Sequence, residues 1–131
     1  MLKTKSIIGL KEKSDGLRIS IMSRHTLNDG ITPHPNITSF SYDLWLPIFS
    51  PSAKLLGDYY KRDLSWEQFE QRYLEYLRQP KIKIKVQELA QKSLDSLITL
   101  LCIEQSPEYC HRRLLAEECK KYQPFLALSI R

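Results

Sequence analysis

The chain has 131 residues, enough for one domain with a single buried core and too few for two. Its 42% hydrophobic and 27% charged residues are those of a globular protein, and no run approaches the ~18 consecutive apolar residues of a membrane span. A net charge of +5 favours an anionic partner without saying which kind.

The N-terminal stretch MLKTKSIIGLKEKSDG holds only a short apolar cluster before charge returns at Lys11, too little for a secretory signal, so a cytoplasmic protein is expected. Three cysteines at 102, 110 and 119 form no disulfide framework and are expected to be thiols.

KSIIGL (5–10) reads as a strand, SDG (14–16) as a turn and LRISIM (17–22) as a second strand with alternating character. The two strands form a hairpin, or the SDG loop carries the chain elsewhere. Residues 23–41 hold Gly30, Pro33 and Pro35 with little periodicity, a long loop of the kind that is often functional. YDLWLPIFSPS should pack, and Ser50 or Ser52 can cap a helix running through Tyr59 or Tyr60. Ser65 opens a clear helix, with Trp66, Phe69, Tyr73 and Leu77 on one face, a capping box to Gln68 and a stop at Pro80. The spacing then predicts one helix over about 82–93.

SLITLLCIE (96–104) is a nearly continuous apolar run, as in strands buried on both faces of a parallel sheet. A loop, the helix CHRRLLAEECKKY and a last strand, FLALSI (125–130), complete a βαβ unit. The expected fold is a single α/β domain over 1–131: three layers, with a small, mostly parallel sheet flanked by helices.

Ligands of open α/β sheets bind beyond the carboxyl ends of the strands, where Glu104 to Tyr109 should lie. Arg112 and Arg113, at the start of the last helix, suggest an anion site. The same field would lower the pKa of Cys110. Cys110 as nucleophile, His111 as acid/base and Glu104 beside them form a candidate catalytic set. Against this, His111 shares a helical stripe with Leu115, Cys119 and Tyr122 and can be a core histidine, with Cys110 a small, part-buried residue. Cys102, inside the strand, reads as structural. No metal is expected: there is no C-x-x-C or H-x-x-x-H spacing, and neighbours on a helix diverge by about 100°. No cofactor is indicated.

SDGLRISIMSRH, DLWLPIFSPSAKLL, LSWEQFEQRYLEYL and TLLCIEQSPEYCHRRLLAEE, in that order over roughly 12–120, resemble the DUF488 family of small bacterial and archaeal proteins, in particular its YeaO-like branch. The resemblance implies a compact cytoplasmic α/β domain with recurring polar residues at Arg24, Cys102, Glu104, Cys110, His111 and Arg112. The branch has an aspartate and a Trp-Pro-Arg-Gly turn after the second strand. Here Ser23 stands at the acidic position, and Asn28-Asp29-Gly30 replaces the turn. If that aspartate is catalytic in relatives, this chain has lost it or uses Asp29.

If the second and late strands are parallel neighbours, Arg24, Glu104 and Arg112 converge on one cleft rim, with Tyr42 and Trp45 as an aromatic wall. Alternatively, Arg24 and Glu104 form a structural ion pair. The reading that follows is a cleft for a small anionic ligand, phosphate-bearing or a nucleotide, with Arg24, Arg112 and Arg113 as the anion-binding residues. A nucleic-acid module using Arg78, Lys81, Lys83 and Lys85 and the lysines at 3, 5, 11 and 13 is the alternative. A homodimer through a patch of Tyr59, Tyr60, Tyr76 and Leu77 is a third expectation.

Overall fold

The apolar run at 96–104 becomes strand β4 (Ile98–Cys102), and all five of its residues are buried. The computed structural model describes residues 1–131. Strands β1 (Leu2–Ser6), β2 (Leu17–Ser20), β3 (Leu44–Trp45) and β5 (Leu128–Ile130) join β4 in one sheet of order β3-β2-β4-β1-β5. Every pairing is parallel; Leu17 lies opposite Ile98 on one side of β4, and Leu2 opposite Ile98 on the other. The chain is a single α/β domain.

The helices are α1 (Ala53–Lys61), α2 (Trp66–Leu77), α3 (Pro80–Asp95) and α4 (His111–Tyr122). Ser52 caps α1 by accepting the N–H of Leu55 at 3.0 Å, and Ser65 caps α2 by accepting that of Gln68 at 3.2 Å. Pro80 does not merely end α2: it occupies the first turn of α3, where its missing N–H costs nothing. All four helices share one core with Leu2, Ile19, Ile98 and Leu100 of the sheet.

Side chains alternate across a strand, so Leu101 faces the other way and packs with Ile7 and Ile37 from the connecting loops. The layer over this second face is therefore loop rather than helix. A buried charge cluster pins it. Asp15 accepts from Lys5 at 2.9 Å and from Arg18 at 2.5 Å, and Arg18 Nε also donates to the Ser41 carbonyl at 3.0 Å. Burial alone would raise the pKa of Asp15, but the Glu12 N–H, Lys5 and Arg18 outweigh it and hold the carboxyl below its ordinary value.

The first strand is displaced from its expected position: β1 covers 2–6, and the chain turns after Ser6, with the Gly9 N–H bonded to the Ser6 carbonyl at 3.1 Å. Leu2 and Thr4 are buried, whereas Lys5 is buried by virtue of Asp15, so lysine masked the strand pattern. No hairpin joins β1 to β2, because β4 lies between them. Gly16 permits the entry into β2: its φ is +64°, and a Cβ there would lie 2.1 Å from the Leu97 carbonyl oxygen.

From β2 the chain moves outward to β3, and from β4 it moves through α4 across to β5. Adjacent strands whose connections leave in opposite directions form a topological switch point, where the sheet opens a crevice at its carboxyl edge. No helix is long and apolar enough to cross a membrane.

Candidate functional site

A cleft of about 700 Å³ occupies that crevice. Its floor is Cys102 at the end of β4 and Glu104 in the loop that follows, together with Cys110 and His111 from the start of α4. Tyr59, Tyr60, Trp66 and Tyr109 supply an aromatic wall, and Ser23, Arg24 and Lys61 lie among the residues of its rim. Trp66 stacks on Phe69 with ring centroids 5.0 Å apart and meets Tyr109 edge-on at 5.5 Å. The wall is thus a rigid aromatic cluster continuous with the core.

Glu104 faces the cleft with one carboxylate oxygen accepting from the Tyr60 hydroxyl at 2.6 Å. Burial, then this hydrogen bond, raises the Tyr60 pKa far above its ordinary value, so the phenol remains a donor. No ion pair joins Glu104 to Arg24; the two contribute separately to the cleft.

Cys110 is the N-cap of α4, with extended backbone (φ −138°, ψ 139°), rather than its first helical residue. The divergence expected for helical neighbours therefore does not apply. The thiols of Cys102 and Cys110 and a ring nitrogen of His111 all lie within 4.8 Å of one another, a set of metal-ligand type. His111 faces the sheet, as the helical stripe implied: its Nε2 is 2.9 Å from the Ile21 carbonyl oxygen, and its Nδ1 is 3.8 Å from Cys102 Sγ.

The two thiols differ from what the sequence suggested. The Cys110 thiol leans on Cys102, and with burial this pushes the pKa of Cys110 well above its ordinary value. Cys102 is held below its ordinary value, first by the Cys110 thiol and, against burial, by the backbone N–H groups of Glu104 and Ile103 and the charge of Arg112. The strand cysteine, read as structural from sequence, is the one whose thiolate the surroundings favour.

Arg112 is fully buried and already committed. Its guanidinium donates to the carbonyls of Glu104 at 2.7 Å, Gln105 at 3.2 Å and Arg131 at 3.1 Å, and Nη1 lies 3.3 Å from Cys110 Sγ. It braces the loop beneath the cleft and does not line it. Arg113 pairs with Glu117 at 2.7 Å and donates to the Glu108 carbonyl at 3.0 Å, also outside the cleft.

Tyr42 and Trp45 form no wall here; they flank His25 at centroid distances of 4.8 and 4.4 Å, while His25 Nε2 meets Ser20 Oγ at 2.7 Å. Burial lowers the pKa of His25. Asp29 accepts from the N–H groups of Ile31 and Thr32, both at 2.9 Å, and holds a turn.

The proposed tyrosine patch also dissolves. Leu77 is buried, Tyr76 donates to the Ile48 carbonyl, and Tyr59 packs on the core. The basic run is interrupted by acidic partners: Arg78 is on Glu118 at 2.8 Å, Lys85 on Glu88 at 3.6 Å, and Lys5 is buried.

Sequence reasoning missed Tyr60, Lys61 and Trp66 as cleft residues, whereas Tyr109 lies in the 104–109 stretch expected at the ligand end of the sheet. Adjacent Tyr59 and Tyr60 at the end of α1 were the available signal, since a helix can turn only one of two neighbours fully into the core.

A family model, DUF488-N3a, described as the active DUF488-N3 subclade, matches residues 2–123. The chain belongs to the DUF488-N3a family. The match takes in every residue of the cleft floor and wall, so these are parts of the DUF488-N3a domain itself. No curated protein and no solved structure matches the chain significantly.

Proposed function

We propose that the cleft binds a phosphate-bearing ligand of nucleotide size, with its ring on the aromatic wall and its charge at Arg24 and Lys61. One observation carries this reading: Arg24 and Lys61 line the cleft without an ion-pair partner, and the rings of Tyr60, Trp66 and Tyr109 line it with them. A cavity of about 700 Å³ is within the range of small-molecule sites. The anion-binding role thus passes from Arg112 and Arg113 to Lys61, while Arg24 keeps it.

Glu104, Cys110 and His111, joined by Cys102, lie beneath such a ligand and are the residues through which the cleft would act on it. The family's description as an active subclade accords with a floor of this kind. We place the protein in the cytoplasm, where its three free thiols stay reduced, and beside the YeaO-like branch on the order of its four segments.

Calorimetric titration with a nucleoside monophosphate and its parent nucleoside tests the reading. Removing the phosphate should weaken binding at least about tenfold. Arg24→Ala and Lys61→Ala should each weaken nucleotide binding by about 1.5–3 kcal/mol, the worth of a charge-assisted hydrogen bond. Both side chains are exposed, so melting temperatures should not move. Equal affinity for nucleoside and nucleotide, or indifference to both substitutions, would refute it.

A further inference from the structure

The floor of the cleft has the makings of a metal centre. Two thiols and an imidazole nitrogen lie within 4.8 Å of one another. A tetrahedral zinc site with Zn–S of about 2.3 Å and Zn–N of about 2.0–2.1 Å has ligand atoms roughly 3.5–3.8 Å apart. The 3.8 Å between Cys102 Sγ and His111 Nδ1 is already within about 0.3 Å of the sulfur–nitrogen edge. Closing the cluster from within 4.8 Å to such edges asks for a shift of about 1 Å among these side chains.

The histidine is set for this role. A carbonyl oxygen can only accept, so the 2.9 Å contact with the Ile21 carbonyl fixes the proton on His111 Nε2. Nδ1 is then left with its lone pair directed towards Cys102. Metal-binding histidines are usually oriented in this way, with the remote ring N–H held by a carbonyl or carboxylate. Arg112, 3.3 Å from Cys110 Sγ and anchored on three carbonyls, is a second outer partner that favours a thiolate.

We propose that Cys102, Cys110 and His111 bind one zinc ion through two thiolates and Nδ1, with the fourth position open to the cleft. Thiolate and imidazole ligands select zinc over magnesium or calcium. Three protein ligands and a free vertex are the pattern of catalytic rather than structural zinc. Binding would release the two thiol protons to solvent and leave the metal and its ligands with no net charge. All three residues line the cleft, as does Glu104, so a ligand group or water at the fourth vertex would share the cleft with that carboxylate. The site stands independently of the nucleotide reading, since the metal alone is the probe.

The test is cobalt(II) titration of the reduced, metal-stripped protein under anaerobic conditions, with free thiols counted beforehand. One cobalt per chain should bind, showing thiolate-to-cobalt charge transfer in the near ultraviolet and the intense visible bands of four-coordination. One equivalent of zinc should abolish both. Cys102→Ser and Cys110→Ser are nearly isosteric, and circular dichroism checks their folding. Each should weaken cobalt binding by more than the roughly 10–100-fold typical of losing an outer-shell partner. Cys119→Ser should change nothing, because Cys119 Sγ is buried 3.9 Å from the Val86 carbonyl oxygen, outside the cluster. A weak, octahedral spectrum from fully reduced wild-type protein would overturn the proposal. So would a loss in Cys119→Ser equal to that in Cys102→Ser.

Discussion

Arg112 donates through Nη1 to the carbonyl of Glu104 at 2.7 Å, from a position with no exposed surface. The arginine that the sequence offers as an anion clamp is the brace that sets the height of Glu104 in the cleft. Arg112→Lys retains the charge but cannot span the carbonyls of Glu104, Gln105 and Arg131. Each buried acceptor left without a donor costs about 1–3 kcal/mol. The expected loss in urea denaturation is therefore about 3 kcal/mol or more, and a variant as stable as wild type would contradict the brace.

Gly16 is a second position where the fold leaves little choice. With φ at +64° and a Cβ site 2.1 Å from the Leu97 carbonyl oxygen, alanine is strained and also clashes at the entry to β2. Gly16→Ala should cost at least about 2–3 kcal/mol. A change of less than about 0.5 kcal/mol, the usual scatter of surface substitutions, would show that the turn can rearrange.

Acid should unfold the protein through its buried carboxylates. Asp15 and Glu118 are held below their ordinary values, Glu118 because Arg78 and Lys121 outweigh the opposing effect of burial. A depressed folded pKa means that the unfolded chain takes up protons first, so this stability is present above about pH 4–5 and is lost as pH falls through the folded values. Urea midpoints measured across that window should decline, and Asp15→Asn should flatten the decline. At neutral pH the same substitution leaves the buried Arg18 without its carboxylate partner, while Lys5 keeps Glu12 at 2.9 Å, and should cost about 3–5 kcal/mol. A wild-type profile with no decline would contradict this.

The thiols give a chemical readout. In reduced, metal-free protein at neutral pH, iodoacetamide should label Cys102 ahead of Cys110, because the surroundings favour the Cys102 thiolate and hold Cys110 as the thiol. Cys119, fully buried and pushed up to about 12, should be slowest. Mass spectrometry of timed digests gives the order, and Cys110 labelled first would reverse the assignment.

What could be read from sequence was whatever a local pattern dictates. The unbroken apolar run gave β4, the spacing of Phe69, Tyr73 and Leu77 gave α2, and the position of Cys110 and His111 after β4 put both among the residues lining the cleft. What could not be read depended on partners distant in sequence. β1 was obscured because Lys5 is buried against Asp15, ten residues on. The alignment of Cys110 with Cys102 depends on an extended N-cap, a single backbone state that spacing does not reveal. Arg112 resembles a free cation until the carbonyls of the 104–105 loop are placed around it.

The most direct test of the account is a two-dimensional proton–nitrogen NMR titration with a nucleoside monophosphate. The cleft reading predicts shifts concentrated at the Trp66 indole and at the amides of Arg24, Lys61, Ile103, Glu104 and Cys110. Shifts confined to the Lys81–Lys85 face of α3, or none at millimolar ligand, would contradict it.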